Sequence, residues 1–341
     1  MYKPHFSITN NILKYVAAID TAKGIIDNSP LIPLWERNFQ EDAVLRQVHH
    51  STAIEENALN YTEVKRVLNG ETIIASRKRD IKEIINYRKA IELLDTKTSK
   101  LEVDYILLLN KVLLTDILPE EKIGKLRDTN VYLISSRSNE IVMEPPEADE
   151  VPEALKDLVD WYNLSDDIHP ILKAGILQYE ITSIHPFIEG NGRTARLLST
   201  WSLYTSGYQI NRFFSLEEYY DKDTKSYYAA LASADESNDL TIWLEYFTKG
   251  LVIEFERIKH KVESLSYDGL KKKFIGQIAL TERQIKIINF IQERGILQNK
   301  DFIDLFPNIS DDTVLRDLKD LMDKKIIKKV GKTKGTKYFL V

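Results

Sequence analysis

One stretch, HPFIEGNGRTAR at residues 185–196, constrains the fold of this chain more than any other. Pro186 disfavours helical backbone in the residue before it, so a helix that approaches from the N-terminal side must end near His185. The Gly-Asn-Gly run at 190–192 permits left-handed backbone and a close approach of the main chain to a ligand. From Arg193 onward the residues are those of a helix. The stretch therefore predicts a helix, a tight loop and a second helix.

The same residues predict a site for a polyphosphate. The loop amides would lie at the positive end of the second helix, where anions bind. Arg193 and Arg196 are three residues apart, so both can project towards one anion. Glu189 is a carboxylate suited to a hard cation such as Mg²⁺, and His185 is a base that titrates near neutral pH. Each residue alone would be an ordinary surface or packing residue, whereas the combination favours a nucleotide site.

This stretch matches, position by position, the signature His-Pro-Phe-x-(Asp/Glu)-Gly-Asn-Gly-Arg-x-x-Arg, and through it the chain resembles the Fic (Fido-fold) family of nucleotidyl transferases. The resemblance covers most of residues 35–250. It implies a mainly α fold with a Fido-type helical core and a β-hairpin flap. It also implies transfer of AMP from ATP to a Ser, Thr or Tyr hydroxyl of a target protein or of the chain itself.

The resemblance assigns a role to each residue of the signature. His185 would deprotonate the target hydroxyl, and Glu189 would hold Mg²⁺. Arg193 and Arg196 would bind the β- and γ-phosphates, while the loop would stabilise charge on the α-phosphate. Tyr227, the first tyrosine of a Tyr-Tyr-x-x-Leu element, would contact adenine, although a pair of helix tyrosines is more often core. The implied nucleotide-binding set is Gly190, Asn191, Gly192, Arg193, Arg196 and Tyr227.

A second segment, STAIEENAL at 51–59, is similar to the inhibitory helix of many Fic proteins, whose pattern is Ser/Thr-x-x-x-Glu-Gly/Asn. The longer ungapped match assigns the inhibitory carboxylate to Glu55, with Ser51 one turn earlier. A shift by one residue would instead select Glu56, with Thr52 as its partner. We favour Glu55. Its carboxylate would form a strong pair with Arg196 and keep that arginine from the γ-phosphate.

Two short apolar runs around a polar turn, at 130–134 and 141–143, predict a β-hairpin. The resemblance implies that this hairpin is the flap. A segment of the target protein would add to it as a strand, which would fix the position of the target side chain. The edge facing the active site would comprise Leu133, Ile134, Ser135 and Ser136.

The chain is predicted to have four parts: a helical region at 1–108 with the inhibitory helix, a catalytic core at 109–250, a linker helix at 251–280 and a winged helix-turn-helix at 281–341. The last part has three helical segments followed by a basic hairpin. It carries 13 Lys and Arg against 9 Asp and Glu. The hairpin lysines could contact DNA phosphates. The acidic third helix weakens that case, so DNA binding is left open beside protein contact or formation of a homodimer.

The amino-acid composition excludes some kinds of site and indicates a cellular location. The chain has no cysteine, which excludes disulfides and thiolate metal sites and suits a reducing cytoplasm. No apolar run approaches the ~20 residues that a membrane span needs, and the N-terminal residues lack a signal-peptide pattern. We therefore expect a cytoplasmic protein with no membrane partner. The adjacent His49 and His50 have no evident partners for a metal and are predicted to be structural.

Two other functions compete with AMP transfer. A retained glutamate could instead align a water molecule and remove AMP from a modified protein. Alternatively, the chain could be a DNA-binding regulator with a Fic core, although the intact signature argues against a degenerate core.

Overall fold

Helices make up most of the structure, a computed structural model that describes residues 2–29, 31, 33–71, 78–94, 100–134, 141–265, 280–307, 309–324, 326–331 and 336–340. The predicted mainly α architecture is confirmed. Contacts divide the chain into two units, one of Met1–Ile25 with Glu41–Ile258 and one of Ile26–Gln40 with Lys259–Val341. The finer division into four parts remains a prediction.

The first unit contains the helices up to α11, of which α1, α2 and α11 extend into the second unit. These helices are α1 (Asn10–Asp27), α2 (Pro33–Ala53), α3 (Tyr61–Leu68), α4 (Lys78–Leu93), α5 (Val103–Leu114), α6 (Val151–Leu164), α7 (Pro170–Ile184), α8 (Asn191–Thr205), α9 (Glu217–Lys222), α10 (Thr224–Ser237) and α11 (Thr241–Leu265). The hairpin strands β1 (Leu133–Ile134) and β2 (Ile141–Met143) pair antiparallel, with Leu133 opposite Met143.

Helices α7 and α8 lie at the centre of the first unit and form its most extensive helix pair. Both have buried residues on almost every side, as expected of helices surrounded by others rather than lying at the surface. Helix α11 packs on α7, where Trp243 donates a hydrogen bond of 2.8 Å from Nε1 to the carbonyl oxygen of Gly175. The signature occupies the loop between α7 and α8 and the first six residues of α8, so it is held by the best-packed part of this unit.

The C-terminal half of α2 is fixed to the same core by a buried arginine. Arg46 is 7% exposed, and its Nη1 lies 2.8 Å from Glu254 and 3.0 Å from Glu218. Its Nη2 donates to the carbonyl oxygen of Phe213 at 3.0 Å. Because a buried charge is tolerated only when it is paired and hydrogen-bonded, this network holds α2 against α9 and α11.

Helix α2 ends at Ala53, within the segment 51–59 that resembles the inhibitory helix. Glu56 takes a left-handed conformation with φ of 66°. The amide of Glu56 donates to Ala53 O, and the amide of Asn57 donates to Thr52 O. These bonds form a Schellman-type C-cap, in which the left-handed position favours glycine or asparagine. The Gly/Asn position of the inhibitory pattern is therefore the C-cap residue, here occupied by Glu56.

The second unit has its own core and a small sheet. Its elements are α12 (Glu282–Arg294), β3 (Leu297–Gln298), α13 (Phe302–Leu305), α14 (Asp311–Asp323), β4 (Ile327–Val330) and β5 (Lys337–Leu340), with the strands in the antiparallel order β3-β5-β4. Helix α12 begins with a capping box, in which Thr281 and Gln284 exchange hydrogen bonds between side chain and backbone. The order of three helical segments and a hairpin agrees with the sequence pattern, while its assignment as a winged helix remains a prediction. Strand β3 was not predicted.

Two basic residues of this unit pair with aspartates of α14. Arg283 of α12 lies 2.7 Å from Asp317 of α14, and Lys324 pairs with Asp320 at 2.5 Å. The strands of the basic hairpin carry three exposed lysines, Lys328, Lys329 and Lys337. Two further lysines of the predicted hairpin, Lys332 and Lys334, lie outside the described residues. In the described part of the chain, no helix is both long and apolar enough to cross a bilayer.

The close packing of α7 on α11 predicts that Gly175→Ala destabilises the protein. A Cβ at this position would lie 2.9 Å from Leu244 and 3.0 Å from Phe247. The control is Gly24→Ala in α1, whose Cβ would meet no described atom within 4 Å. Both changes gain similar helix propensity, so their difference reports overpacking. We expect Gly175→Ala to be less stable than Gly24→Ala by about 1–3 kcal/mol in urea unfolding. Equal stabilities would contradict this packing.

Candidate active site

His185 lies directly after α7, at the start of the signature loop. The helix ends where the proline rule predicts, but His185 is left-handed, with φ of 49° and ψ of 57°, rather than extended. Its Nδ1 lies 3.4 Å from the carbonyl oxygen of Thr182. With the proton on Nδ1 donated to that oxygen, Nε2 is left as the acceptor, which is the state that a general base requires.

The surroundings of His185 favour its neutral form. Burial lowers the pKa of the imidazole below its ordinary value of 6.5, and the Arg127 guanidinium lowers it further. The bond to Thr182 and the Glu55 carboxylate act in the opposite direction, but the pKa remains lowered. His185 is therefore mainly unprotonated at pH 7 and can accept a proton.

Polar side chains brace the loop from within. Asn191 is 3% exposed and exchanges hydrogen bonds with the backbone of Phe187, from N–H to Oδ1 at 2.9 Å and from Nδ2 to O at 2.8 Å. Asn110 of α5 donates to the carbonyl oxygen of Glu189 at 2.9 Å. Gly190 has a φ of 81°, which L side chains rarely adopt. The Asn191 side chain is thus engaged in shaping the loop, and its amide lies in the first turn of α8.

Arg127 is a scaffold residue that sequence reasoning missed. Its guanidinium is bound by backbone carbonyls: Nε donates to His185 O at 2.8 Å, Nη1 to Thr129 O at 3.1 Å, and Nη2 to Pro146 O. The backbone amide of Arg127 also donates to Pro186 O at 2.9 Å. One buried side chain thereby ties the loop to two segments that flank the hairpin. No motif in the sequence marks this residue.

Arg196 and the end of α2 meet over the start of α8. Arg196 is 2% exposed and donates from Nε to Ser51 Oγ at 2.8 Å and from Nη2 to Ser51 O at 2.9 Å. The same Nη2 lies 2.8 Å from Glu55 Oε1. A Cβ on Gly192 would lie 2.5 Å from that carboxylate oxygen. The space above Gly192 therefore holds the Glu55 carboxylate, although 31% of that side chain is exposed. Glu56 is also exposed, and it occupies the left-handed position of the cap.

Glu189 and Arg193 form a second ion-pair cluster with α4, which was also missed from the sequence. Arg193 Nη2 lies 3.3 Å from Glu189 Oε1, and its Nη1 lies 3.5 Å from Glu83 Oε1. Arg79, one turn before Glu83 on α4, pairs with Glu189. Glu83 also accepts a hydrogen bond of 2.8 Å from Asn57, just after the C-cap of α2. The ends of α2 and α4 thus both contact the loop.

The buried arginines leave donors for a ligand. Arg193 is 3% exposed, yet its Nε and Nη1 form no hydrogen bond with any described residue. Buried donors normally have partners, so such atoms call for an additional group. An anion at the start of α8 would supply the missing acceptors. Mg²⁺ is commonly bound by one or two carboxylates together with substrate phosphates. Glu189, with 27% of its side chain exposed, offers such a carboxylate.

The remaining predicted residues lie in different settings. Tyr227 is 1% exposed and stacks on Tyr220 with ring centroids 4.4 Å apart, so its ring belongs to the core and its contact with adenine remains a prediction. The neighbouring Tyr228 is half exposed. Leu133 and Ile134 lie on β1, whereas Ser135 and Ser136 lie outside the described residues. The flap role of all four remains a prediction.

The contact between Glu55 and Arg196 predicts a pH-dependent contribution to stability. Burial opposes ionisation of Glu55, but Arg196 and Arg193 outweigh it and lower the pKa of Glu55 below its ordinary value of 4.5. A lowered pKa in the folded state contributes stability above pH 4.5 that is lost as the pH falls through the folded value. We expect Glu55→Gln to be less stable than the unmodified chain by about 1–2 kcal/mol at pH 7.

Urea unfolding of both proteins between pH 7 and pH 3 measures this difference. It should shrink as the pH falls below 4.5. The matched control is Glu56→Gln, because that side chain is exposed at the same helix end; it should change stability little at any pH. A Glu55→Gln difference that stays constant with pH would contradict the contact.

Comparison with known proteins places the central helices in one family. Residues 100–203 match the Fic/DOC family. The chain is similar to protein adenylyltransferase fic-1 of Caenorhabditis elegans, with 32% identity over 180 residues that cover 50% of this chain and 34% of the relative. It is also similar to the protein adenylyltransferase Fic of Nematostella vectensis, with 26% identity over 53% of this chain and 43% of the relative. The matched segments are therefore less than half the length of these relatives.

Solved structures agree on the fold. A Fic family protein from Desulfovibrio desulfuricans superposes with a TM-score of 0.70 at 24% identity, covering 100% of this chain and 98% of that one. Residues 134–508 of Fic-1 from C. elegans superpose with a TM-score of 0.61 at 27% identity, covering 74% of each chain. Helix α7, the signature loop and all but the last two residues of α8 lie within residues 100–203. Residues 100–203 therefore match the Fic/DOC family in sequence, and the fold agrees with that of solved Fic structures.

Proposed function

We propose that this chain is a protein adenylyltransferase, which transfers AMP from ATP to a Ser, Thr or Tyr hydroxyl of a protein. The observation that carries the proposal is the pair of buried arginines at the start of α8, beside a neutral His185. One of them, Arg193, has two donors that form no hydrogen bond with any described residue. In such a site the arginines bind a polyphosphate, and the adjacent imidazole accepts a proton. The names of the relatives from C. elegans and N. vectensis support the same activity.

In the proposed reaction, His185 Nε2 accepts the proton of the incoming hydroxyl. The hydroxyl oxygen forms a bond to the α-phosphorus, while the bond from that phosphorus to its bridging oxygen breaks and pyrophosphate leaves. The amides of the first turn of α8 would stabilise the charge that builds on the α-phosphate. Because little covalent work falls to the protein, positioning and electrostatics supply most of the rate.

Two buried arginines would hold the leaving group. In this proposal Arg193 binds the β-phosphate and Arg196 binds the γ-phosphate, each from the first two turns of α8. Mg²⁺ held by Glu189 would neutralise charge on the α- and β-phosphates. Glu189 pairs with Arg79 and Arg193 in the structure, so its carboxylate would exchange part of this pairing for the cation.

We further propose that Glu55 restrains the transfer. Its carboxylate occupies one donor of Arg196 and fills the space above Gly192. A γ-phosphate at Arg196 would have to displace that carboxylate, so ATP would bind weakly or with its α-phosphate out of line.

The target would dock on the hairpin. An extended segment of the target protein would add to β1 at Leu133, Ile134, Ser135 and Ser136, so that its hydroxyl approaches His185. We propose that the second unit contacts protein, either the target or a second copy of the chain, rather than DNA. This choice follows from the pairing of Arg283 and Lys324 with aspartates of α14.

The first prediction concerns the base. In a Glu55→Gly background, His185→Ala should lower transfer of label from α-labelled ATP to protein by about 10²–10⁴-fold, while nucleotide binding measured by calorimetry changes little. The control is His5→Gln, whose side chain is 77% exposed and which should leave transfer unchanged. Full transfer by the His185→Ala variant would contradict the proposed mechanism.

The second prediction separates the two adjacent glutamates. Glu55→Gly should raise label transfer at least tenfold, the effect of about 1.4 kcal/mol, because it frees Arg196. Glu56→Gly should leave transfer unchanged and stabilise the chain by about 1 kcal/mol, since it relieves a left-handed non-glycine residue. Activation by Glu56→Gly alone would contradict the assignment of Glu55. Release of AMP from pre-labelled protein, measured in the same samples, reports the hydrolytic alternative.

The third prediction concerns pH. A base works only when unprotonated, so transfer should fall as the pH drops through the pKa of His185. Because burial lowers that pKa below 6.5, the acidic midpoint of the transfer rate should lie below 6.5. Glu55 raises the pKa of His185, so the Glu55→Gly variant should show this low midpoint most clearly. A midpoint at or above pH 6.5 would contradict a buried base.

A further inference from the structure

Two histidines and an aspartate outside the signature come together in the first unit. His49 and His50 lie in the last turns of α2, and Asp221 lies in α9. Each residue offers one ligand atom such that the three atoms lie within 4.8 Å of one another. Among the described residues, this is the one group of three or more His, Cys, Asp or Glu side chains with such spacing. The sequence showed only the two histidines, because Asp221 is far away along the chain.

His49 has a nitrogen that lacks a partner. Its Nδ1 is buried and forms no hydrogen bond with any residue that the structure describes. The ring is held edge-on by two neighbours, His50 at 4.8 Å and Tyr61 at 5.4 Å between centroids. A buried polar atom without a partner is unfavourable, and a metal ion bound to the His49 ring is one group that would satisfy it.

His50 and Asp221 form the other half of the group. His50 Nδ1 lies 2.8 Å from Asp221 Oδ2, and their side chains are 15% and 25% exposed. The two ligand atoms are therefore adjacent, and on binding an ion they would exchange this bond for bonds to the cation. Their partial exposure leaves a path for an ion from solvent, and the fixed position of α2 through Arg46 and Glu218 keeps the two helices together.

We propose that His49, His50 and Asp221 form a binding site for a divalent transition-metal cation of the zinc class. Two imidazole nitrogens and one carboxylate oxygen suit Zn²⁺ and Co²⁺, whereas Mg²⁺ and Ca²⁺ prefer oxygen ligands. Bond lengths of about 2.0–2.2 Å would place tetrahedral ligand atoms about 3.4 Å apart. The rings must therefore turn to close the set from its present 4.8 Å. A fourth position is left for solvent.

A cation at this site would join α2 to α9 next to Ser51, which contacts Arg196. The site uses none of the signature residues, so it does not depend on the proposed transfer of AMP. Its occupancy would instead fix the last turns of α2, which carry Ser51 and lead into the turn that carries Glu55. The chemistry of the site can therefore be tested by binding and stability alone.

The test is titration of the untagged, chelator-treated full chain with Co²⁺ and Zn²⁺. We expect one equivalent of Co²⁺ to bind, with visible d–d absorption that Zn²⁺ displaces, and a thermal midpoint that rises with Zn²⁺ concentration but not with Mg²⁺. His49→Gln and Asp221→Asn should each lower the affinity at least about tenfold, since even outer-shell changes reach that size. The control His5→Gln, at an exposed histidine, should bind as the unmodified chain does.

Two outcomes would overturn the proposal. One is the same Co²⁺ affinity in the unmodified chain and in both variants, with native circular dichroism throughout. The other is no binding of Co²⁺ or Zn²⁺ by the unmodified chain, which would leave the group as an ion pair between His50 and Asp221.

Discussion

The structure depends on the buried guanidinium of Arg196 at the start of α8. A buried charge is stable only when it is paired and hydrogen-bonded. Here Ser51 and Glu55 supply its acceptors from α2. Because a phosphate would satisfy the same donors, the requirement that stabilises the closed arrangement also creates an anion site. In our proposal, the Glu55 carboxylate and the substrate phosphate are alternative partners of the same buried guanidinium.

The site is shaped in advance by residues that do not touch the reacting groups. Arg127 binds carbonyls on both sides of the loop, and Asn110 and Asn191 hold the loop backbone. With its polar groups satisfied by protein, the loop does not have to reorganise when charge develops nearby. The resulting backbone places His185 in a left-handed conformation at the end of α7.

Much of this arrangement could be predicted from the sequence, because the signature concentrates its information in adjacent residues. Helix ends at glycine and proline, and the cap at Thr281, follow from local chemistry. The partners of the site could not be predicted in this way, since Arg79 and Glu83 look like ordinary charged residues of an amphipathic helix. The left-handed His185 and Glu56 were missed for a related reason: tertiary contacts and hydrogen bonds at helix ends override the preferences of the single residue.

In our proposal, Glu55 and the γ-phosphate compete for Arg196. Calorimetric affinities for ATP and ADP, measured in the unmodified chain and in Glu55→Gly, report this competition. Because ADP lacks a γ-phosphate, we expect Glu55→Gly to strengthen ATP binding by at least about tenfold, the effect of 1.4 kcal/mol, and ADP binding much less. Equal changes for ATP and ADP, or no change in either, would contradict it.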